Sequence, residues 1–235
     1  MNSERLSGRV SFVVPCYNCS AYVKECLDSL ILQTYEDIEI IAVDDGSTDA
    51  TWETIEQWKT GAPRKNPFFD IRNRFVALRL PRNCGYSGAM TTAMYLARGE
   101  FIATQDADDL SHAQRIEHQV NAMLQRPELG AVGTSYHYFR DGRFDSPERE
   151  CWLKYGMDNI KASYDNGLHC VCHGTLLFRA SLFDRLGGLT RRLPGAEDYE
   201  HIAHFIAAGE RIDNLNLPLY YYRIHDKQRS HEYYG

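Results

Sequence analysis

Three features of this sequence predict an α/β fold built on a doubly wound, mostly parallel sheet. Apolar runs of strand length alternate with segments of helical period through the first half, which implies parallel pairing through right-handed crossovers. Each conspicuous polar cluster of that half falls directly after a strand: Pro15-Cys16-Tyr17-Asn18, Asp44-Asp45-Gly46-Ser47, Asn83-Cys84-Gly85-Tyr86 and Asp106 to Asp109. The 235 residues contain no repeat, low-complexity tract or clear linker, so residues 1–235 read as one continuous domain with a substantial core.

The elements follow in order. Val10-Ser11-Phe12-Val13-Val14 is a strand stopped by Pro15, and Tyr22, Val23, Cys26, Leu27, Leu30 and Ile31 then recur at helical spacing. Ile38 to Val43 is a second strand, after which Ser47-Thr48-Asp49 caps a helix carrying Trp52, Ile55 and Trp58. Lys59 to Asn73 reads as a polar loop, Phe75 to Leu80 as a third strand, Ala89 to Ala97 as a helix and Phe101 to Thr104 as a fourth strand. The second half is less regular. It gives a helix over Ala113 to Leu124, a strand over Leu129 to Tyr138 and another over Gly174 to Phe178. A short helix follows at Leu182 to Leu186, then a helix over Glu197 to Ala208. Residues 139–170 are polar and aromatic with weak periodicity, and Tyr220-Tyr221-Tyr222 is a strand of packing residues.

Composition removes several functions. A net charge of −6 argues against a nucleic-acid binder, which normally needs a basic face. No apolar stretch approaches the ~20 residues that span a bilayer, and the N-terminus lacks a signal-peptide core, so a cytoplasmic protein is expected. Peripheral contact with the inner face of the membrane needs no spanning segment. Seven cysteines make an odd count, and Cys16, Cys19 and Cys26 form no closed ligand set, so free thiols are expected.

The chemistry concentrates in Gln105-Asp106-Ala107-Asp108-Asp109. Three carboxylates in four positions after a strand repel one another and raise each other's pKa, so a divalent cation is the economical explanation. Oxygen ligands suit Mg2+ or Mn2+, which typically also hold substrate phosphates. A solvated acidic turn capping the next helix is the rival reading. Asp44 and Asp45 end a buried strand, and Asp45 suits a nucleobase N–H or a ribose hydroxyl. The following Gly46 permits the turn. There is no G-x-G-x-x-G after the first strand and no Walker A motif, which disfavours a dinucleotide oxidoreductase and P-loop phosphoryl transfer.

Taken together, these motifs resemble the inverting family 2 glycosyltransferases of GT-A fold, a Rossmann-like α/β architecture. The resemblance is carried by Val13 to Asn18, Gln33-Thr34-Tyr35, Val43 to Asp49, Asn83-x-Gly85, Gly99 to Ile102 and Asp106-x-Asp108-Asp109. Later in the chain it continues through His173-Gly174-Thr175-x-x-Phe178-Arg179, Leu186-Gly187-Gly188, Glu197 to Glu200 and Tyr222-Arg223-x-His225. It runs in order from about residue 10 to 229. It implies a nucleotide-sugar-binding half over about 10–110 and an acceptor-binding half over about 111–235. Pro15, Tyr17 and Asp45 would hold the base, commonly uracil. Asp106 would meet ribose or metal, and Asp108 and His225 the metal or diphosphate. Asp198, or failing it Glu197, would be the catalytic base. The implied donor is a nucleotide-diphospho-sugar, with UDP expected and Mn2+ or Mg2+ as cofactor. The transfer is of hexosyl or N-acetylhexosaminyl type, to a glycan, lipid-linked or protein acceptor.

The rival readings of single residues stay in view. Acids at a helix start are also favoured by the macrodipole, and a lone histidine is usually structural. One departure stands out: many relatives carry Ala-Arg-Asn where this chain has Ala89-Met90-Thr91, leaving one cationic contact to Arg82 or to the basic tail. The alternatives in other classes are a sugar nucleotidyltransferase, which would need a Gly-rich basic loop after the first strand, and a non-catalytic nucleotide-sugar-binding protein.

Overall fold

The computed structural model describes residues 5–61, 69–140, 152–190, 192, 195–226 and 228. In the first half, β1 (Leu6–Cys16), β2 (Ile38–Asp44), β3 (Phe75–Arg79) and β4 (Gly99–Thr104) alternate with α1 (Val23–Leu30), α2 (Thr51–Gly61), the single turn α3 (Ile71–Arg74) and α4 (Tyr86–Leu96). The second half adds β5 (Leu110–Ser111), α5 (Arg115–Gln125), β6 (Leu129–Phe139), α6 (Met157–Asp165), β7 (Leu177–Arg179), α7 (Ala180–Leu186), α8 (Glu197–Ala207) and β8 (Arg211–Arg223). One sheet takes strands from both halves, in the order β3-β2-β1-β4-β7-β6-β8-β5. The pairs β1·β2, β1·β4, β2·β3 and β6·β8 are parallel, while β7 runs antiparallel between β4 and β6.

Alternation along β1 and β2 sorts the core onto the two faces. Val10, Phe12 and Val14 join Ile38, Ile40 and Ala42 in one buried cluster with Leu27 of α1, Ile55 of α2 and Ile116 of α5. Val13, Ile41 and Val43 point the other way, into a cluster with Met90 of α4, Phe183 of α7 and Phe205 of α8. Helices on both faces are what a parallel sheet requires, since neither face can be left to water. The chain order reverses around β1: β2 and β3 lie to one side and β4 to the other. That is a topological switch point, where the carboxyl ends of neighbouring strands diverge and leave a crevice.

Two family-like motifs turn out to be clamps for this frame. Gln33 donates to His112 O at 2.8 Å and accepts from Ile116 N at 3.1 Å, which ties the α1–β2 loop to the chain entering α5. Asn18, at φ 49°, accepts from Thr48 N at 2.9 Å and so joins the loops after β1 and β2. Gly46 is required between them, because a Cβ there would sit 2.7 Å from the backbone carbon of Arg82.

The second half differs from expectation in three places. The strand expected from Gly174 opens instead as a 3₁₀ turn over His173–Thr175, closed by the Thr175 hydroxyl donating to Cys172 O at 2.8 Å. Helix α6 lies inside the weakly patterned stretch, and β8 extends far beyond the three tyrosines. Pro218 interrupts the period of β8, and the register with β6 shifts where it faces Ser135. Part of the expected loop 59–73 and residues 141–151 lie outside the described residues. No helix among the described residues is long and apolar enough to cross a membrane.

Candidate active site

The four polar clusters that follow β1, β2, β3 and β4 lie at the carboxyl edge of the sheet, beside the β1/β4 switch point. Pro15 is buried in β1, past its last pairing with β4, and Tyr17 beyond it is 49% exposed at the rim. Asp44 is fully buried and accepts from Ser47 N at 3.1 Å, with the Arg79 Nε at 3.2 Å. Asp45 turns to the other loop and accepts from Cys84 N at 2.6 Å, so it fixes the Asn83-x-Gly85 turn against the end of β2.

The three acids after β4 have separate environments. Asp106 is half-buried. Its Oδ1 accepts from the Tyr86 hydroxyl at 3.3 Å, and its amide donates to the Tyr220 hydroxyl at 3.3 Å. Burial, followed by the charges of Asp108 and Asp198, pushes its pKa up to about 7, against the opposing pull of Tyr86. Asp108 faces the pocket, with Oδ2 3.0 Å from Nε2 of His225. The His225 ring packs on Tyr22 at 4.4 Å. Asp109 is buried and accepts from Arg223 N at 2.7 Å, so it secures the end of β8 rather than entering the pocket. Arg223 also donates to Asp108 O at 2.7 Å and pairs with Glu25. The acid turn and the C-terminal strand that carries His225 are thus one construction.

The donor set fits a divalent cation. Asp108 and His225 converge as a carboxylate–imidazole pair, and beside them burial and the charges of Asp108 and Asp198 disfavour the ionised form of Asp106. Among the described residues no group of three or more His, Cys, Asp or Glu is arranged to hold a metal by itself. Two or three protein donors completed by substrate oxygens and water is the usual arrangement for Mg2+ or Mn2+ with a diphosphate. The six described cysteines are free. Five of them are buried, and burial raises the Cys26 and Cys172 thiols well above their ordinary value, so they pack as inert residues.

Across the crevice, Glu197 and Asp198 open α8. Glu197 is 8% exposed, whereas the Asp198 side chain is 47% exposed, with Oδ1 3.6 Å from Nδ1 of His173. Asp198 also raises the Asp106 pKa, so the two carboxylates sense each other across the pocket. Of the two acids, Asp198 is the one solvent and substrate can reach.

The structure adds residues that patterning did not assign. Tyr220 is fully buried, and its hydroxyl meets the Asp106 amide, so it belongs to the site as well as to the core. Arg115 is a buried cation beneath the acids. It donates to Thr104 O at 2.9 Å, Ser111 Oγ at 2.9 Å and Gln105 Oε1 at 3.1 Å, and burial lowers its pKa to about 10, still protonated at neutral pH. Its position in the first turn of an amphipathic helix gave no sign of this. Gly174 permits the closest approach: a Cβ there would lie 2.5 Å from Asp106 Oδ2 and 2.7 Å from the Tyr220 hydroxyl. At the departure from the common pattern, Met90 is fully buried in the core, and Thr91 Oγ1 accepts from Leu189 N at 3.1 Å beside Gly188. Position 90 therefore supplies packing, not charge. Arg82 is exposed, and Lys227 and Arg229 of the basic tail lie outside the described residues.

Comparison with known proteins bears on the family and the fold. Chondroitin synthase of Escherichia coli is 28% identical over 222 residues, which cover 94% of this chain and 30% of that protein. The E. coli UDP-Glc:alpha-D-GlcNAc-diphosphoundecaprenol beta-1,3-glucosyltransferase WfaP is 29% identical over 222 residues, 92% of this chain and 77% of WfaP. Among solved structures, S. aureus TarS 1–349 in complex with UDP-GlcNAc superposes with a TM-score of 0.71 at 22% identity, covering 97% of this chain and 62% of that one. The mannosyltransferase PcManGT of Pyrobaculum calidifontis, in complex with GDP-Man and Mn2+, gives 0.67 at 24% identity, covering 98% and 60%. The chain thus spans under a third of chondroitin synthase and about three-fifths of these two structures. The model of the glycosyl transferase family 2 matches residues 11–187, well over half of the chain. By sequence and by fold, this chain belongs to glycosyltransferase family 2 and is a glycosyltransferase of GT-A architecture.

Proposed function

We propose that the protein is a metal-dependent inverting glycosyltransferase that moves a sugar from a nucleotide-diphospho-sugar, UDP-linked, to an acceptor hydroxyl on a glycan, a lipid-linked sugar or a protein. The observation that carries this reading is the convergence of Asp106, Asp108 and His225 on one wall of the β1/β4 crevice with the accessible Asp198 opposite. Complexes of fold neighbours with UDP-GlcNAc, and with GDP-Man and Mn2+, support a nucleotide-sugar in that crevice. The half over about 10–110 would take the donor, and the half over about 111–235 the acceptor.

In this reading Tyr17 and Asp45 hold the base beside Pro15, and Asp106 reaches the ribose. Asp108 and His225 hold the cation, which when bound supplies the positive charge that stabilises a departing diphosphate. Asp198 takes the proton of the acceptor hydroxyl. As that oxygen bonds to the anomeric carbon, the electron pair of the broken carbon–oxygen bond leaves with the diphosphate, and the anomeric configuration inverts. Arg115 keeps the floor of the site at fixed charge, and Asp109 keeps the His225 strand in place.

The test is incubation with a panel of UDP-sugars and sugar acceptors, with Mn2+ or with chelator. The expected result is Mn2+-dependent UDP release and a product of opposite anomeric configuration by NMR. A product of retained configuration would overturn the single displacement. Pyrophosphate release from UTP would mark a nucleotidyltransferase, and binding without turnover a non-catalytic protein.

A further inference from the structure

Behind the accessible carboxylate lies a buried histidine pair, His173 and His201, that the reaction described above does not use. His173 Nε2 is 2.9 Å from His201 Nδ1. His173 Nδ1 lies 3.2 Å from the Tyr86 hydroxyl and 3.6 Å from Asp198 Oδ1. The Tyr86 hydroxyl in turn reaches Asp106 Oδ1 at 3.3 Å. Both histidines are almost fully buried, and the His201 ring packs against Phe178 and Phe205 at 5.7 and 4.5 Å. His201 Nε2 is buried with no hydrogen-bond partner among the described residues.

That orphaned nitrogen decides where the protons sit. If His201 carried its proton on Nε2, a buried N–H would be left unmade, at a cost of roughly 1–3 kcal/mol. His173 would then donate from Nε2, and the lone pair of its Nδ1 would face the Asp198 carboxylate. The Tyr86 proton would also be drawn away from Asp106. In the opposite arrangement His201 Nδ1–H donates to His173 Nε2, and His173 Nδ1–H points to the Tyr86 oxygen and Asp198. Tyr86 then donates to Asp106, and only a lone pair on His201 is left unmatched, the cheaper defect. Every group has one proton to give and gives it toward a carboxylate.

We infer that His173 is a positioning residue for Asp198 and for Tyr86, held as its Nδ1–H tautomer by His201. This rests on Asp198 being the base. The groups facing His173 are Tyr86, Asp198 and His201, with His169 nearby and Asp106 reached through Tyr86. Hydrogen-bonded to the Tyr86 oxygen at 3.2 Å, a neutral Nδ1–H presents a donor rather than a lone pair to the Asp198 oxygen 3.6 Å away, which biases the rotamer of an otherwise half-exposed side chain.

Two measurements test this. In the wild-type protein without substrate, long-range 15N–1H correlation of labelled histidines should show both His173 and His201 protonated on Nδ1. An Nε2–H pattern at His173 overturns the inference whatever the activity. In transfer assays, His173→Leu should lower kcat about ten- to a hundredfold with the acceptor KM little changed. His173→Asn, which returns an amide N–H near the Nδ1 position, should recover most of the loss. Equal loss in the two variants would mean core packing alone and overturn the positioning role. Transfer retained by Asp198→Asn would sink the assignment of the base but leave the tautomer result standing, so the two failures are separable.

Discussion

The raised pKa of Asp106 has a measurable consequence for stability, and Asp106→Asn exposes it. The folded-state value of about 7 stands well above the ordinary aspartate value of 3.8. The unfolded chain therefore holds fewer protons at this carboxyl between those values, and stability falls as pH rises through that window. At about 1.36 kcal/mol per unit, going from pH 5, where the folded carboxyl is protonated, to pH 8, where it is ionised, costs the folded state on the order of 2–3 kcal/mol. Asparagine keeps an oxygen for the Tyr86 hydroxyl and carries no charge. Thermal unfolding in the presence of chelator should show Asp106→Asn more stable than wild type at pH 8, with an advantage about 2–3 kcal/mol larger than at pH 5. For a chain of this size that difference is about 5–10 °C in Tm. Mn2+ at pH 8 should raise the wild-type Tm more than that of the variant, because the cation relieves the same repulsion. A variant less stable than wild type by the same amount at both pH values would refute the reasoning, since the acid turn would then be held by packing and not strained by charge.

Further outcomes are specific to single residues. Asp198→Asn should reduce transfer at least ~10²-fold while Mn2+-dependent UDP binding, read by calorimetry, stays within about twofold; retained transfer removes Asp198 from the base role. Asp108→Ala and His225→Ala should each weaken Mn2+-dependent donor binding by about 10-fold or more, and unchanged metal titrations would sink their pairing as ligands. Gly174→Ala forces a methyl group against Asp106 Oδ2 and the Tyr220 hydroxyl, so a loss of about 1–3 kcal/mol in stability should accompany weaker UDP binding. Normal binding with normal Tm would show that the turn has room to give.

Legibility in the sequence followed the range of the interactions involved. The first half could be read because β1 and β2 are buried on both faces and its helices on one, so Val10 to Val14 or Ile38 to Val43 announce themselves by local pattern. The second half depends on distant partners. β7 is three residues long and exists because β4 and β6 flank it, and β5 is two residues long, paired to β8 from more than a hundred positions away. The candidate site divides in the same way. Asp45, Asp106, Asp108 and Asp198 are carboxylates at strand or helix ends, which composition and position flag. Tyr220 and Arg115 enter through contacts that no local pattern records, and the aromatic strand that looked like packing turned out to be packing with one hydroxyl at the acid turn.

The acid turn shows most plainly why sequence proximity cannot assign roles. Asp106, Asp108 and Asp109 are chemically identical and separated by at most three positions, yet the turn sends them in three directions. Asp109 is turned inward, where the amide of Arg223 takes one oxygen and leaves it closed to substrate. That bond, together with Arg223 donating to Asp108 O, fixes the strand that delivers His225 to Asp108. The third acid therefore supports the proposed cation site without touching it. Replacing Asp109 with alanine would leave the Arg223 amide without its buried acceptor and slacken the His225 strand, and the loss would read as weaker metal binding. A ligand role and a tethering role would look alike in a metal titration, and hydrogen exchange at the Arg223 amide tells them apart: rapid in Asp109→Ala, still protected in Asp108→Ala.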